Sequence, residues 1–196
     1  MRKLFLMTLL IASCTSLSLG QTPDEPKNEF FVGYSFHSAD INTLTIDPHR
    51  TGQNGVNVAY QRNLNRHVGL KVDASAHFKR GSQQLNGGQF KSNRDQYYFL
   101  GGVEFKAPNN SRVTPFAQVL AGASLFRGFT SNITPAGNVF TFDDATSFAM
   151  ALGGGLDVRA NDHISIRLIQ ADYAPTFFGP GRQNNFRLSV GVIFKR

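Results

Sequence analysis

The sequence predicts an all-β protein: an eight-stranded antiparallel up-and-down transmembrane β-barrel with a polar, filled lumen, long extracellular loops and short periplasmic turns. Three observations predict it. Period-2 alternation of apolar and polar residues recurs about eight times. Each alternating run is near the roughly 9–11 residues that a tilted strand needs to cross a bilayer. The connections alternate between long and short, the habit of outer-membrane barrels.

The 196 residues are of one-domain length, with 20 Lys and Arg against 13 Asp and Glu and a formal charge of +7. The opening "MRKLFLMTLLIASCTSLSLG" reads as a signal peptide over residues 1–20: Arg2 and Lys3 precede a short apolar run, and Ser18-Leu19-Gly20 supplies a cleavage site. Its removal would lower the formal charge from +7 to +5. It would also remove Cys14, the one cysteine, leaving no disulfide and no thiolate metal site. Ile11-Ala12-Ser13-Cys14 also resembles a bacterial lipobox, so lipidation at Cys14 is the alternative to cleavage after Gly20. Residues 21–28 read as a polar periplasmic leader and residues 29–196 as the barrel. The Lys and Arg residues are scattered singly, which argues against nucleic acid as a partner.

Strand by strand, "FFVGYSFH" sets Phe30, Val32, Tyr34 and Phe36 against Phe31, Gly33, Ser35 and His37. "GVNVAYQR" alternates Val56, Val58 and Tyr60 with Asn57, Ala59 and Gln61. "HVGLKVDASAHFK" is the most regular, with Val68 to Phe78 opposed by Gly69, Lys71, Asp73, Ser75, His77 and Lys79. "QYYFLGGVEFK", "PFAQVLAGASLF" and "SFAMALGGGLDVR" continue the pattern. In "HISIRLIQADYAP" the adjacent pair Leu168-Ile169 breaks step, and a β-bulge near Leu168 would restore one apolar face. "NNFRLSVGVIFKR" closes the set. Residues 39–54, 81–94 and 131–145 read as long loops, 63–66, 107–112 and 160–162 as tight turns, and 176–183 as a moderate connection.

A soluble lipocalin-like barrel would turn its apolar face inward. The residues favour the opposite. The polar face carries Lys71, Asp73, Glu104, Asp157, Arg159, Arg167, Asp172 and Arg187 interleaved with Gly and Ser. The apolar face ends in aromatics at both levels: Phe30, Tyr60, Phe105 and Phe194 near one end, and Phe36, Phe78, Tyr97, Phe129, Phe148 and Tyr173 near the other. Two aromatic bands around an aliphatic middle suit a bilayer.

The chain resembles the bacterial outer-membrane β-barrel family with OmpA-like eight-stranded domains, most clearly in "YYFLGGVEFK", "PFAQVLAGAS", "IQADY" and "QNNFRLSVGVIFKR". The last is similar to the terminal strand that barrel-assembly machinery reads, although Lys195 and Arg196 follow the aromatic Phe194. The resemblance implies an exported monomer in the outer membrane of a Gram-negative envelope, and the even strand count puts both termini at the turn end, in the periplasm. It implies a structural or surface-interaction role rather than catalysis.

No catalytic, cofactor or metal motif emerges. The five histidines lack metal-ligand spacing, and His77, Ser75 and Asp73 share a strand face at distances unsuited to a triad. The candidate site is a structural network in the lumen: Arg167 and Arg187 with Glu104, Asp157 or Asp172, and Lys71 with Asp73 or Glu104, because isolated ions there would be costly. Gly153 and Gly155 of "LGGGL" and their counterparts on other inner faces are expected to make room for arginines crossing a narrow lumen and to let a small barrel curve tightly. The expected partners are outer-membrane lipid and lipopolysaccharide, whose phosphates could meet His49, Arg50, Arg80, Lys91, Arg127 and Arg182. A small-molecule conduit or binder and an envelope lipid-modifying enzyme are the alternative functions.

Overall fold

The computed structural model describes residues 26–40, 50–85, 88–134, 137–178 and 181–196. The expected signal peptide and most of the expected leader lie outside the described residues. Ten β-segments are present: β1 (Asn28–Asp40), β2 (Arg50–Asn63), β3 (Val68–Leu85), β4 (Gly88–Lys106), β5 (Val113–Thr134), β6 (Gly137–Arg159), β7 (Ile164–Tyr173), β8 (Thr176–Phe178), β9 (Gly181–Gln183) and β10 (Phe186–Lys195). They form eight strand tracks, because β8 carries β7 onward along β6 and β9 hairpins back from β8 toward β10.

Each neighbour pair is antiparallel, and β1 pairs with β10 from Glu29↔Lys195 to Ser38↔Phe186, which closes an eight-stranded barrel. Closure leaves no sheet edge within the barrel wall, as a lipid environment requires of a β-structure. The shortest wall strands, β7 and β10, have 10 residues each, enough for a tilted crossing.

The alternation resolves into two faces. Val32, Val58, Val72, Phe99, Val119, Leu152 and Ile166 are exposed on the outside, while Ser35, Asn57, Asp73, Glu104, Gln118, Arg167 and Gln170 are buried inside. This is a globular protein's pattern turned inside out, as lipid contact demands. Of the aromatic bands, Phe30, Tyr60, Phe105 and Phe194 are exposed at the end with the short turns, and Phe36, Phe78 and Phe148 at the other. Tyr97 and Tyr173 are half-buried, and the side chain of Phe129 lies outside the described residues.

The bulge sits where the doubled apolar pair requires it. Leu156 pairs with Ile169 and Asp157 with Arg167, so Leu168 is the extra residue. The same irregularity separates Ser189↔Gln170 from Gly191↔Arg167. Leu168 and Ile169 both face outward, and Arg167 and Gln170 both stay inside. Without the bulge, half of β7 would put its polar side chains in lipid.

Two expectations need correction. The stretches expected as long loops at 81–94 and 131–145 are largely strand: β3 and β4 pair as far as Leu85↔Gly88, and β5 and β6 as far as Thr134↔Gly137. The sequence of 81–94 is mostly polar with no regular apolar period, so nothing in it betrays the strand. In contrast, the β2–β3 ladder stops at Asn54↔Phe78. A four-stranded sheet, β3 to β6, therefore rises past the rest of the barrel. The connection expected at 176–183 is the short hairpin of β8 and β9, and residues 41–49 lie outside the described set.

At the other end the connections are short. Asn65 Oδ1 accepts from the backbone N–H groups of His67 and Val68, and Asn161 Oδ1 does the same for His163 and Ile164. These Asx turns satisfy backbone donors that the ladder cannot reach. Arg159, expected on the lumen face, is exposed at this rim, because β6 has already left the barrel interior there.

Candidate functional site

The buried chemistry of the described residues lies in the lumen, in three tiers. The first tier is built on Arg167. Its Nε and Nη2 donate to the two oxygens of Asp157 at 2.8 and 2.9 Å, the bidentate geometry that a guanidinium fork favours. Its Nη1 donates to Gln170 Oε1 at 2.6 Å, and Nη2 also reaches Glu104 Oε2 at 3.4 Å. Lys71 Nζ donates to the same Glu104 Oε2 at 2.9 Å. Glu104 thus faces two cations at Oε2 and a third, Lys106, 3.9 Å from Oε1, while fully buried. Aromatic faces complete the shell: the Arg167 guanidinium lies 3.9 Å from the Phe116 ring centroid and 5.1 Å from that of Phe31.

The next tier is built on Arg187, also fully buried. Nε and Nη2 donate to Asp172 Oδ2 at 3.0 and 2.9 Å, and Nη1 donates to Asp73 Oδ1 at 2.6 Å and Ser75 Oγ at 3.0 Å. Two amides tie the tiers together. Gln118 accepts from Lys71 at 2.7 Å and donates to Asp172 Oδ1 at 2.7 Å; Gln170 accepts from Arg167 and donates to Asp172 Oδ2 at 2.7 Å. The structure therefore brings together all seven candidate residues, Lys71, Asp73, Glu104, Asp157, Arg167, Asp172 and Arg187. Of the two carboxylates expected for Lys71 the structure selects Glu104, and Asp73 pairs instead with Arg187, which was not expected. Lys71 and Asp73 lie two apart on one strand, whereas Arg187 reaches Asp73 from across the barrel.

Strand parity placed other partners on the inner face without revealing their roles. Asn57 donates to Asp73 Oδ2 at 3.0 Å, and Lys106 pairs with Glu29 at 2.5 Å near the turn end. The third tier joins His37, His77 and Tyr98. Tyr98 Oη hydrogen bonds His37 Nε2 at 2.8 Å and accepts from Gln96 at 2.8 Å, while His77 Nε2 meets Ser35 Oγ at 2.9 Å. The two imidazoles stack with centroids 4.9 Å apart. Their strand positions predict the inner face, but only the register brings them together across three strands. Ser75, which shares a strand face with His77, serves Arg187 instead. Ser35 and His77 are completely buried, and Ser35 also accepts a hydrogen bond from Ser189. Among the described residues no group of three or more His, Cys, Asp or Glu could hold a metal ion.

At the inner glycines the neighbours that fill the space are not the arginines themselves. A Cβ at Gly33 would lie 2.2 Å from Val190 O and 2.5 Å from Phe31 Cζ, and one at Gly191, directly opposite, 2.8 Å from Phe31 Cε2. A Cβ at Gly155 would lie 2.0 Å from Ile169 O and 2.9 Å from Phe116 Cε1. The bare positions admit a close backbone approach and two aromatic rings, and those rings in turn flank Arg167. Gly153 does leave room for an ionic group: a Cβ there would lie 2.3 Å from Asp172 Oδ1.

Of the outer cations, Arg80 is held by the carboxylate of Asp95. This hydrogen bond raises the guanidinium above its ordinary value. Arg127 sits opposite Asp95 on one side and Asp144 on the other. Lys91 and Arg182 are exposed, and the side chains of His49 and Arg50 lie outside the described residues.

Solved structures similar in fold are outer-membrane barrels. Ail, the attachment invasion locus protein of Yersinia pestis, matches with a TM-score of 0.58 at 16% identity, over 87% of this chain and 100% of its own. Neisserial surface protein A matches with a TM-score of 0.53 at 15% identity, over 89% of this chain and 100% of its own. At these identities the likeness shows the fold. No curated protein matches the sequence. The family model described as outer membrane protein beta-barrel domain matches residues 8–194, nearly the whole chain, and the chain belongs to that family.

Proposed function

We propose that this outer-membrane barrel is a non-catalytic protein of the OmpA-like eight-stranded type, with a structural and surface-interacting role in a Gram-negative envelope. One observation carries the reading: the lumen is filled by ion-paired side chains while β3 to β6 continue past the aromatic band as a sheet. The filled interior supplies stability rather than passage, and the rising sheet supplies area for contact outside the bilayer. In this reading residues 1–20 direct export, barrel-assembly machinery reads the β10 strand, and the monomer sits with its turns and both termini in the periplasm. The rising sheet then faces outward among lipopolysaccharide. Exposed Lys91 and Arg182 suit phosphate or sulfate groups. Ail was crystallised with the heparin analogue sucrose octasulfate, which makes that polyanion a practical probe here.

The orientation is tested with single cysteines, since Cys14 is the only native one. Ser82→Cys, on the rising sheet, should react with a membrane-impermeant maleimide on intact cells. Asn110→Cys, in a short turn, should react only after the outer membrane is permeabilised. The reverse labelling would overturn the orientation.

A further inference from the structure

Gly101 is an outward-facing glycine that the backbone does not require. At Gly102, Gly122, Gly153 and Gly155 an added Cβ would meet a neighbouring carbonyl oxygen at 2.0–2.2 Å, whereas at Gly101 the nearest atom is Lys71 O at 3.9 Å. Gly101 lies opposite Val72 on one side and Ala121 on the other. Glycine weakens a strand, and a large apolar side chain would fit there. What the glycine leaves is a trough. Gly101 and Ala74 form its floor, and Phe99, Val58, Val72 and Tyr60 its walls, around a recess of about 440 Å³.

The trough has a polar end. Phe30 and Tyr60 also line a second recess, of about 150 Å³, together with Asn28, Lys195 and Arg196 at the turn end. Tyr60 Oη donates to Asn28 Oδ1 at 2.7 Å, which fixes the ring at the junction of the two recesses. Arg62 is the next outward residue of β2, exposed and opposite Asn28. An open apolar trough with Arg62, Lys195 and Arg196 toward one end has the polarity of one lipid molecule.

We infer that this groove seats a single glycerophospholipid of the leaflet at the turn end. An acyl chain lies along the trough over Gly101 and Ala74, and the phosphate meets Arg62 beside the Lys195 and Arg196 rim. Charge complementarity selects an anionic phosphate over a plain hydrocarbon. Shape selects lipid over a second copy, because a two-fold contact would face one trough against another and leave both unfilled. The choice of phospholipid over lipid A rests on the orientation proposed above.

The test is native mass spectrometry of the full barrel released from nanodiscs of phosphatidylethanolamine, phosphatidylglycerol and lipid A. The wild type should retain one phospholipid. Gly101→Leu, which fills the trough floor without a backbone clash, should lose it while keeping the heat-modifiable gel shift of a folded barrel. Arg62→Glu should weaken retention and leave folding intact. Equal retention by wild type and Gly101→Leu would overturn the assignment, as would no retained lipid in the wild type. A wild-type dimer that Gly101→Leu converts to monomer would instead show that a second copy covers the trough. Preferential retention of lipid A would overturn the phospholipid choice, and the cysteine labelling reports separately whether the orientation fails.

Discussion

Glu104 meets Lys71 and Arg167 with one oxygen, Oε2, and both cations are buried. A carboxylate in that position cannot be deleted quietly. Glu104→Ala leaves two cations with a shared counter-charge removed, and losing one partner of a buried ion pair costs about 3–5 kcal/mol. Equilibrium urea unfolding from lipid vesicles should show that loss, and wild-type stability would mean the ions are solvated individually. Arg187 is the parallel case, holding Asp73 and Asp172 together. Arg187→Met keeps much of the bulk but strands two carboxylates, so its loss should be of the same order, about 3–5 kcal/mol. The seven network residues could be read from parity and charge alone, since each sits on a polar face between apolar neighbours. Their partition could not: Asp73 is two residues from Lys71 in sequence, yet its partner Arg187 is 114 positions away.

Strand β7 shows what an element can and cannot reveal. The pair Leu168-Ile169 signals a bulge because a strand with one wet and one greasy face cannot tolerate two apolar residues in a row. Deleting Leu168 removes the bulge but preserves alternation, since Arg167 and Gln170 remain on the inside. That variant should still insert and show the heat-modifiable shift. Deleting Val190 at the same level of β10 shifts one part of the strand to the wrong face and should abolish folding, as judged by the same gel. Gly153→Leu should also fail, because its Cβ would fall 2.2 Å from Ala171 O; normal folding would show that the wall can relax there. The outer parts of β3 to β6 escaped sequence reading for a physical reason. "GSQQLNGGQFKSNR" shows no regular apolar–polar alternation, yet the β3–β4 ladder continues as far as Leu85↔Gly88. The aromatics Phe31 and Phe116 were equally hard to place in function. Their parity points inward, but nothing in the sequence links them to Arg167 or to the glycines that admit their rings.

As a whole, the molecule is an apolar shell around a salt-bridged polar core, and that arrangement sets its permeability. Eight strands enclose an interior just wide enough for side chains to fill, and here guanidinium, ammonium, carboxylate and amide groups occupy it from Glu29 to Tyr98. Planar-bilayer recordings of the purified barrel should show no stable unitary conductance, and discrete, reproducible openings would favour the conduit reading. The central claim is that the lipid-facing and lumen faces are assigned correctly, and the adjacent pair Phe30 and Phe31 tests it. Phe30 is 46% exposed on the outside, and Phe31 is 3% exposed beneath Arg167. The chain contains no Trp, so Phe30→Trp and Phe31→Trp each create a protein with a single reporter. In vesicles containing brominated phospholipid, the fluorescence of Phe30→Trp should be strongly quenched and that of Phe31→Trp should not. Equal quenching, or the reverse order, would contradict the account.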